Sequence, residues 1–255
     1  MTGDSQSVQR AIMLRYAILS DIHGNMFALE EVMKDVNNHG IEKIILLGDL
    51  IDYGMQSNEV VSYVRDVLGS RVICSIWGNH ENAIMTGDYR HFSSERGVQS
   101  AKHTASVLTE ESREYLNTVP EKSGRKESTL DGFRVLAVHG SLNDSYWKSI
   151  FPDNVNGDYH DYDIVLSGHS HYPHMFQKFY DTDDPQMRNK KAVFFINPGS
   201  VGQPRNHNPN AQYAILDTDT MSVDMRSVPY PVEKTMQKYD VSVDEFYRER
   251  LEYGI

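Results

Sequence analysis

The N-terminal part of the chain alternates short apolar runs with amphipathic stretches. LRYAILS (14–20) and KIILL (43–47) are rich in branched residues and bounded by turn signals, which predicts strands. Between them, NMFALEEVMKDVNNHG sets Leu29, Val32, Met33 and Val36 at helical spacing with acidic residues on the other face, and Gly40 is placed to end the helix. SNEVVSYVRDVLG (57–69) predicts a second helix and VICSI (72–76) a third strand. Strand, helix, strand, helix, strand implies right-handed crossovers and a parallel sheet.

From about 81 to 118 the pattern turns helical and polar, with SSERGVQSAKHTASVL and TEESREYLNTV as helices ended by Pro120, and predicts an insertion over one end of the sheet. EKSGRKES (121–128) reads as a hydrophilic turn. Strands are expected at 133–138, 163–167, 192–196, 211–217 and 221–228. The last two flank TDT, a hairpin signal, and are expected to be antiparallel. The segment 178–191 reads as a solvated loop or ribbon tip, and SVDEFYRERLEYG as a surface helix.

Composition narrows the class. Across 255 residues, 39% hydrophobic and 24% charged content describe a globular chain rather than a disordered or membrane one. The opening MTGDSQSVQR is polar and lacks the apolar stretch of a secretory signal. Residues 1–13 are expected as a flexible extension ahead of a single domain over 14–255. No run reaches membrane-spanning length, so no membrane partner is expected. The single Cys74, inside RVICSIW, reads as a buried reduced thiol, which points to a cytoplasmic setting. A formal net charge of -11 argues against a nucleic-acid duplex as partner. An anionic small substrate would need locally concentrated positive charge. Nothing in the pattern sets an oligomeric state.

The polar residues fall where the strands end. LSDIHGN, LGDLIDYG and WGNHEN follow the first three strands, VHGS follows 133–138 and SGHSHYP follows 163–167. An isolated Asp49 would read as a turn cap, but carboxyl ends of strands in an open α/β sheet share one edge, where ligands bind. Asp21, His23, Asp49, Asn79, His80, His139, His169 and His171 are thereby expected in one place. Such a gathering of carboxylates and imidazoles calls for cations, and this donor set suits Mn, Fe, Zn, Co or Ni rather than Ca or Mg alone.

The ordered set DIHGN, GDLIDYG, GNHE, HGS and GHSH resembles the calcineurin-like metallophosphoesterase superfamily, over roughly 14–217, and NPGSVGQPR resembles its bacterial phosphodiesterase branch. The resemblance implies an α/β fold, a four-layer α/β/β/α sandwich of two mixed sheets flanked by helices. It also implies two divalent metal ions, with Mn first among them: Asp21, His23 and His171 on one, Asn79, His139 and His169 on the other, and Asp49 bridging. A hydroxide bridging the ions would attack phosphorus, and His80 would assist the leaving group. Asn25, which could equally cap a helix, and Arg205 are candidate phosphate contacts. Asp52, Glu81 and His207 are left over for a third ion, while His39, His91, His103, His160, His174 and His207 are otherwise expected on solvated surfaces. Tyr89 and Phe92 read first as ordinary packing of the helical insertion on the sheet; walling the pocket, where a nucleotide base could stack, is the second reading.

The expected activity is hydrolysis of a small phosphorylated substrate, a phosphodiester or a dinucleoside polyphosphate. Phosphoprotein phosphatases of the superfamily usually carry Arg at the position of Tyr53, which lowers a phosphoprotein or phosphomonoester reading, although GNHE is shared with them. A non-catalytic interaction scaffold is the rival from another class. It is disfavoured because every matched ligand position is filled.

Overall fold

The computed structural model describes residues 14–255, so the extension expected over 1–13 lies outside the described residues. The order of elements is β1 (Arg15–Leu19), α1 (Met26–Asn38), β2 (Lys43–Leu46), α2 (Ser57–Tyr63), β3 (Val72–Ser75), α3 (Asn79–Thr86), α4 (Glu95–Val107), α5 (Glu110–Thr118), β4 (Arg125–Leu130), β5 (Phe133–Val138), β6 (Ile164–Ser167), β7 (His174–Asp181), β8 (Lys190–Asn197), β9 (Ala211–Asp217), β10 (Ser222–Val228), α6 (Val232–Met236) and α7 (Glu245–Tyr253). They build two five-stranded mixed sheets, β10-β9-β1-β2-β3 and β4-β5-β6-β8-β7. In the first, β1, β2 and β3 are parallel, and the β9–β10 hairpin joins antiparallel through β9.

The apolar runs are continuous because both faces of these strands are buried. In β1, Ala17 and Leu19 face a core shared with α1 and α2, whereas Tyr16 and Ile18 face the second sheet. The second sheet repeats the division: Val135 and Ala137 of β5 join the core between the sheets, and Leu136 and Val138 join an outer core with Ile150, Tyr159 and Tyr162. That outer face is covered by the turn-rich segment between β5 and β6. Helix α1 ends at Gly40 as expected, with the Ile41 N–H donating to Val36 O at 3.2 Å.

One expectation is corrected. The supposed turn at 121–128 contains most of β4, which pairs antiparallel with β5 along Arg125–Leu130. Its side chains are largely exposed, so this charged edge strand carries no apolar alternation to announce it. Of the two readings for 178–191, the structure shows the ribbon tip: β7 runs to Asp181 and pairs antiparallel with β8 from Lys190.

Cys74 is buried against the inter-sheet core, and burial pushes its thiol up to about 11, the setting of an unreactive sulfur. Among the described residues no helix is long and apolar enough to cross a membrane.

Candidate metal centre

The strand ends converge through strained turns. Asp21, His23, Asp49, His169 and His171 all have positive φ, between 48 and 64°, a backbone state that is costly for non-glycine residues and collects at functional sites. The turn presenting Asp49 is held by one buried carboxylate. Glu81 accepts from the N–H groups of Asp49 (2.8 Å), Leu50 (2.7 Å), Ile51 (3.3 Å) and Gly78 (2.8 Å). Burial and the Asp49 charge push Glu81 up to about 7, opposed by the bonds from Gly78 and Asp49. Gly78 is required here, since a Cβ would stand 2.0 Å from Asp49 Oδ1.

Second contacts set the imidazole tautomers. Nδ1 of His23, His139 and His171 lies 3.2, 2.7 and 2.6 Å from the carbonyl oxygens of Ile51, Leu47 and Gln203. A carbonyl can only accept, so Nδ1 carries the proton and Nε2 offers a lone pair to the centre. There, His171 Nε2 faces Asp21 Oδ1 at 3.1 Å and His23 Nε2 at 3.2 Å, while His139 Nε2 faces Asp49 Oδ2 at 3.3 Å. Asn79 Oδ1 lies 3.0 Å from His139 Nε2 and 2.9 Å from His169 Nδ1. Asp21 Oδ1 and Asp49 Oδ2 are buried and have no hydrogen-bond partner.

Lone pairs facing lone pairs in a water-poor pocket are stable only with positive charge between them. Three overlapping groups have donor atoms within 4.8 Å of one another: Asp21, His23 and His171; His23, Asp49 and His80; and Asp49, His139 and His169. The set fits divalent metal ions. Without them the cluster leans on protons: burial depresses His139, but Asp49 and Asp21 outweigh it and raise it to about 9, whereas burial and the His139 charge take His169 down to about 3.

His80 is oriented from behind. Its Nδ1 lies 2.6 Å from Asp52 Oδ2, its main-chain N–H donates to Asp49 Oδ1 at 2.9 Å, and its Nε2 reaches within 3.9 Å of Asp49 Oδ2. Asp52 Oδ1 in turn accepts from Ser100 Oγ (2.7 Å) and Thr104 Oγ1 (2.9 Å) on α4. Burial lowers the His80 pKa, but Asp49 and Asp52 outweigh it and leave it raised, which favours a proton donor. Asp52 and Glu81 are thus engaged in holding the site rather than spare for a third ion, and His207 lies outside the cluster.

A cavity of about 360 Å³ opens on this centre, lined by Asp49, Tyr53, Asn79, His80, His169, His171 and Arg205, with His91, Phe92 and Trp147 as its aromatic wall. A larger cavity of about 530 Å³, between the turn after α2, β3 and α5, contains none of these groups. Trp147 and His91, which stack at 5.5 Å, were not anticipated as site residues. Trp147 sits in an irregular segment with no periodicity to mark it. Phe92 lines this wall, whereas Tyr89 packs against the helix-side core, the reading favoured for the insertion.

Of the two readings open for Asn25, the structure shows the helix cap. It is 1% exposed and caps α1, accepting from Ala28 N–H at 3.1 Å and from Thr235 Oγ1 at 3.1 Å and donating to Gly202 O at 3.0 Å. Asn25→Ala is expected to cost about 1–3 kcal/mol in urea unfolding, the range for a lost cap and stranded buried partners. A raised KM at unchanged stability would restore it as a substrate contact. Arg205 does line the cavity, with its Nε buried and unpartnered.

Residues 14–221 match the profile described as the calcineurin-like phosphoesterase superfamily domain. The chain is 30% identical over 248 residues to MJ0912 of Methanocaldococcus jannaschii, spanning 93% of this chain and 97% of that protein. It is 23% identical to the phosphodiesterase YfcE of Escherichia coli, over 83% and 91% of the two chains. A crystal structure of a metallophosphoesterase from Sphaerobacter thermophilus superposes with a TM-score of 0.73 at 28% identity, covering 94% of this chain and all, 100%, of that one.

Proposed function

This chain belongs to the calcineurin-like phosphoesterase superfamily and is a hydrolase acting on phosphoesters, and from that premise we propose a dinuclear metal-dependent phosphodiesterase or dinucleoside polyphosphate hydrolase. The observation that carries this reading is the pair of unpartnered buried oxygens, Asp21 Oδ1 and Asp49 Oδ2, facing imidazole lone pairs. Asp21, His23 and His171 would hold one ion, Asn79, His139 and His169 the other, and Asp49 both. Mn is the ion we favour. When bound, such ions supply Lewis acidity at the phosphoryl oxygens and acidify a water for attack on phosphorus.

The chain's own residues do the rest. His80, held by Asp52, delivers a proton from Nε2 to the departing oxygen, and Arg205 grips phosphoryl oxygens from the cavity wall. Tyr53 bears on the alternative, a phosphoprotein or phosphomonoester phosphatase. It stacks on Tyr247 (4.4 Å) and lies tilted against His23 (4.7 Å) and edge-on to His80 (4.4 Å), so this position offers no guanidinium to a phosphate.

The test is a substrate screen with Mn-loaded protein: bis-p-nitrophenyl phosphate, dinucleoside polyphosphates, cyclic nucleotides and phosphopeptides. Diesters or nucleotide anhydrides are expected ahead of phosphopeptides, and the reverse order would replace this reading with the phosphatase one. If metal-loaded protein cleaves no phosphoester, while Asp49→Asn leaves its cellular role intact, the chain is a scaffold.

A further inference from the structure

An indole is the side chain with the most apolar area to gain from burial, yet among the described residues Trp147 joins none of the apolar cores. It stands half-buried in the lining of the metal-site cavity instead. Its neighbours there are rings of the site. His91 stacks on it at 5.5 Å, Phe92 meets it edge-on at 5.4 Å, and the proposed ligand His169 lies edge-on at 6.2 Å.

The ring is also held in place. Asp144 Oδ1 accepts from the main-chain N–H groups of Tyr146 and Trp147, both at 3.0 Å. The same turn is tied to the metal centre, because Gly140, which directly follows His139, donates its N–H to Ser145 O at 2.7 Å, and Ser141 donates to Asp144 O at 2.8 Å. A Cβ on Gly140 would stand 2.6 Å from Asp144 O, so this close approach needs glycine. The other half of the wall comes from the segment between α3 and α4, where His91 is exposed and Phe92 half-buried. Phe92 lies edge-on to His80 at 5.1 Å, which sets the wall on the side of the cavity where His80 would meet the departing oxygen.

Aromatic faces beside a polar centre suit a ligand that joins a flat ring to a phosphate, since every nucleobase has a π face to stack. The volume of about 360 Å³ is at the small end of the range for ligand sites, room for a phosphoryl group and one attached ring system. We propose that Trp147 and His91, braced by Phe92, form a base-stacking wall that selects a nucleoside-bearing leaving group, so that nucleotidyl esters and anhydrides are preferred over alkyl phosphodiesters. The proposal rests on the hydrolase reading of the adjacent centre for what departs, but not for its binding test.

Adenosine 5′-monophosphate and ribose 5-phosphate differ only by the base, and their binding to the Mn-loaded full chain tests the wall. In calorimetry the nucleotide should bind wild type about tenfold tighter than the sugar phosphate, Trp147→Ala should erase most of that margin, and Trp147→Phe, which keeps a ring, should retain much of it. His91→Ala, at an exposed position, should cut the margin about threefold and guards against a Trp147 variant that fails to fold. Fluorescence gives a second readout. Of the two tryptophans, Trp77 is buried with its Nε1 donating to Leu116 O at 2.7 Å, so quenching by the nucleotide beyond that by ribose 5-phosphate reports Trp147. In steady-state kinetics, Trp147→Ala should raise KM for a dinucleoside tetraphosphate about tenfold with a smaller change in kcat. A Trp147-dependent margin without hydrolysis of any phosphoester would retain the wall and remove the hydrolase reading. Equal affinity for the two phosphates in wild type, or a margin that both Ala variants leave intact, would eliminate the wall and leave the hydrolase reading standing.

Discussion

Asp49→Asn protein, supplied with Mn at a concentration that saturates wild type, is expected to hydrolyse bis-p-nitrophenyl phosphate about a thousandfold more slowly or worse, a barrier increase of about 4 kcal/mol. The change is nearly isosteric, so the effect is chemical. Oδ2 of Asp49 lies 3.3 Å from His139 Nε2 and 3.7 Å from His23 Nε2, which places it between the two proposed ligand sets. Losing its negative charge removes the group that would join them, and an amide NH₂ turned inward meets lone pairs with a donor in place of a shared cation. Oδ1 accepts the His80 N–H, a bond the amide oxygen can keep only with its NH₂ turned inward. Initial rates, metal content by mass spectrometry and a circular-dichroism melt together check the result. A well-folded variant that keeps its rate within about tenfold and its full metal content would show that Asp49 is not the shared ligand.

The second large effect is on stability. Ions that bind only the folded chain stabilise it by mass action, about 2.7 kcal/mol per site at a hundredfold excess over Kd, or about 5 kcal/mol for two independent sites. For a chain of this size, that raises the melting temperature by about 10–20 °C over chelator-treated protein. Scanning calorimetry in Mn and in chelator measures it, and a shift below about 2 °C would contradict tight binding at the buried cluster. Loading should also release protons. In the metal-free chain the attraction of Asp49 and Asp21 overcomes burial and holds His139 protonated up to about 9, and ligation requires the neutral ring. Proton release in weakly buffered solution near neutral pH is the corresponding readout.

The convergence of Asp21, His23, Asp49, Asn79, His139, His169 and His171 was legible in the sequence because each follows an apolar run by only a few residues, and parallel strands bring such ends to one edge. The groups that hold them were not. In the sequence Glu81 reads only as a leftover ligand, since its backbone partners lie partly in a turn some thirty residues away. Asp52 is as hard to read, because its partners Ser100 and Thr104 come from a helix whose docking depends on tertiary contact. Their spacing of four residues on a polar helix was the one available hint, as it sets two hydroxyls on one face. Asn25 shows the converse: its place beside a ligand motif leaves a phosphate contact and a helix cap equally open in the sequence, and the fold commits it to the helix it starts.

The division of each central strand between two cores carries an implication for how this enzyme can change. Sliding β1 by a single position would exchange its two inward faces and swing the turn at Asp21 away from its neighbours. The sorting of greasy side chains and the aim of the reactive ones are therefore set by the same alignment, so mutations that loosen strand pairing should harm turnover before they unfold the molecule.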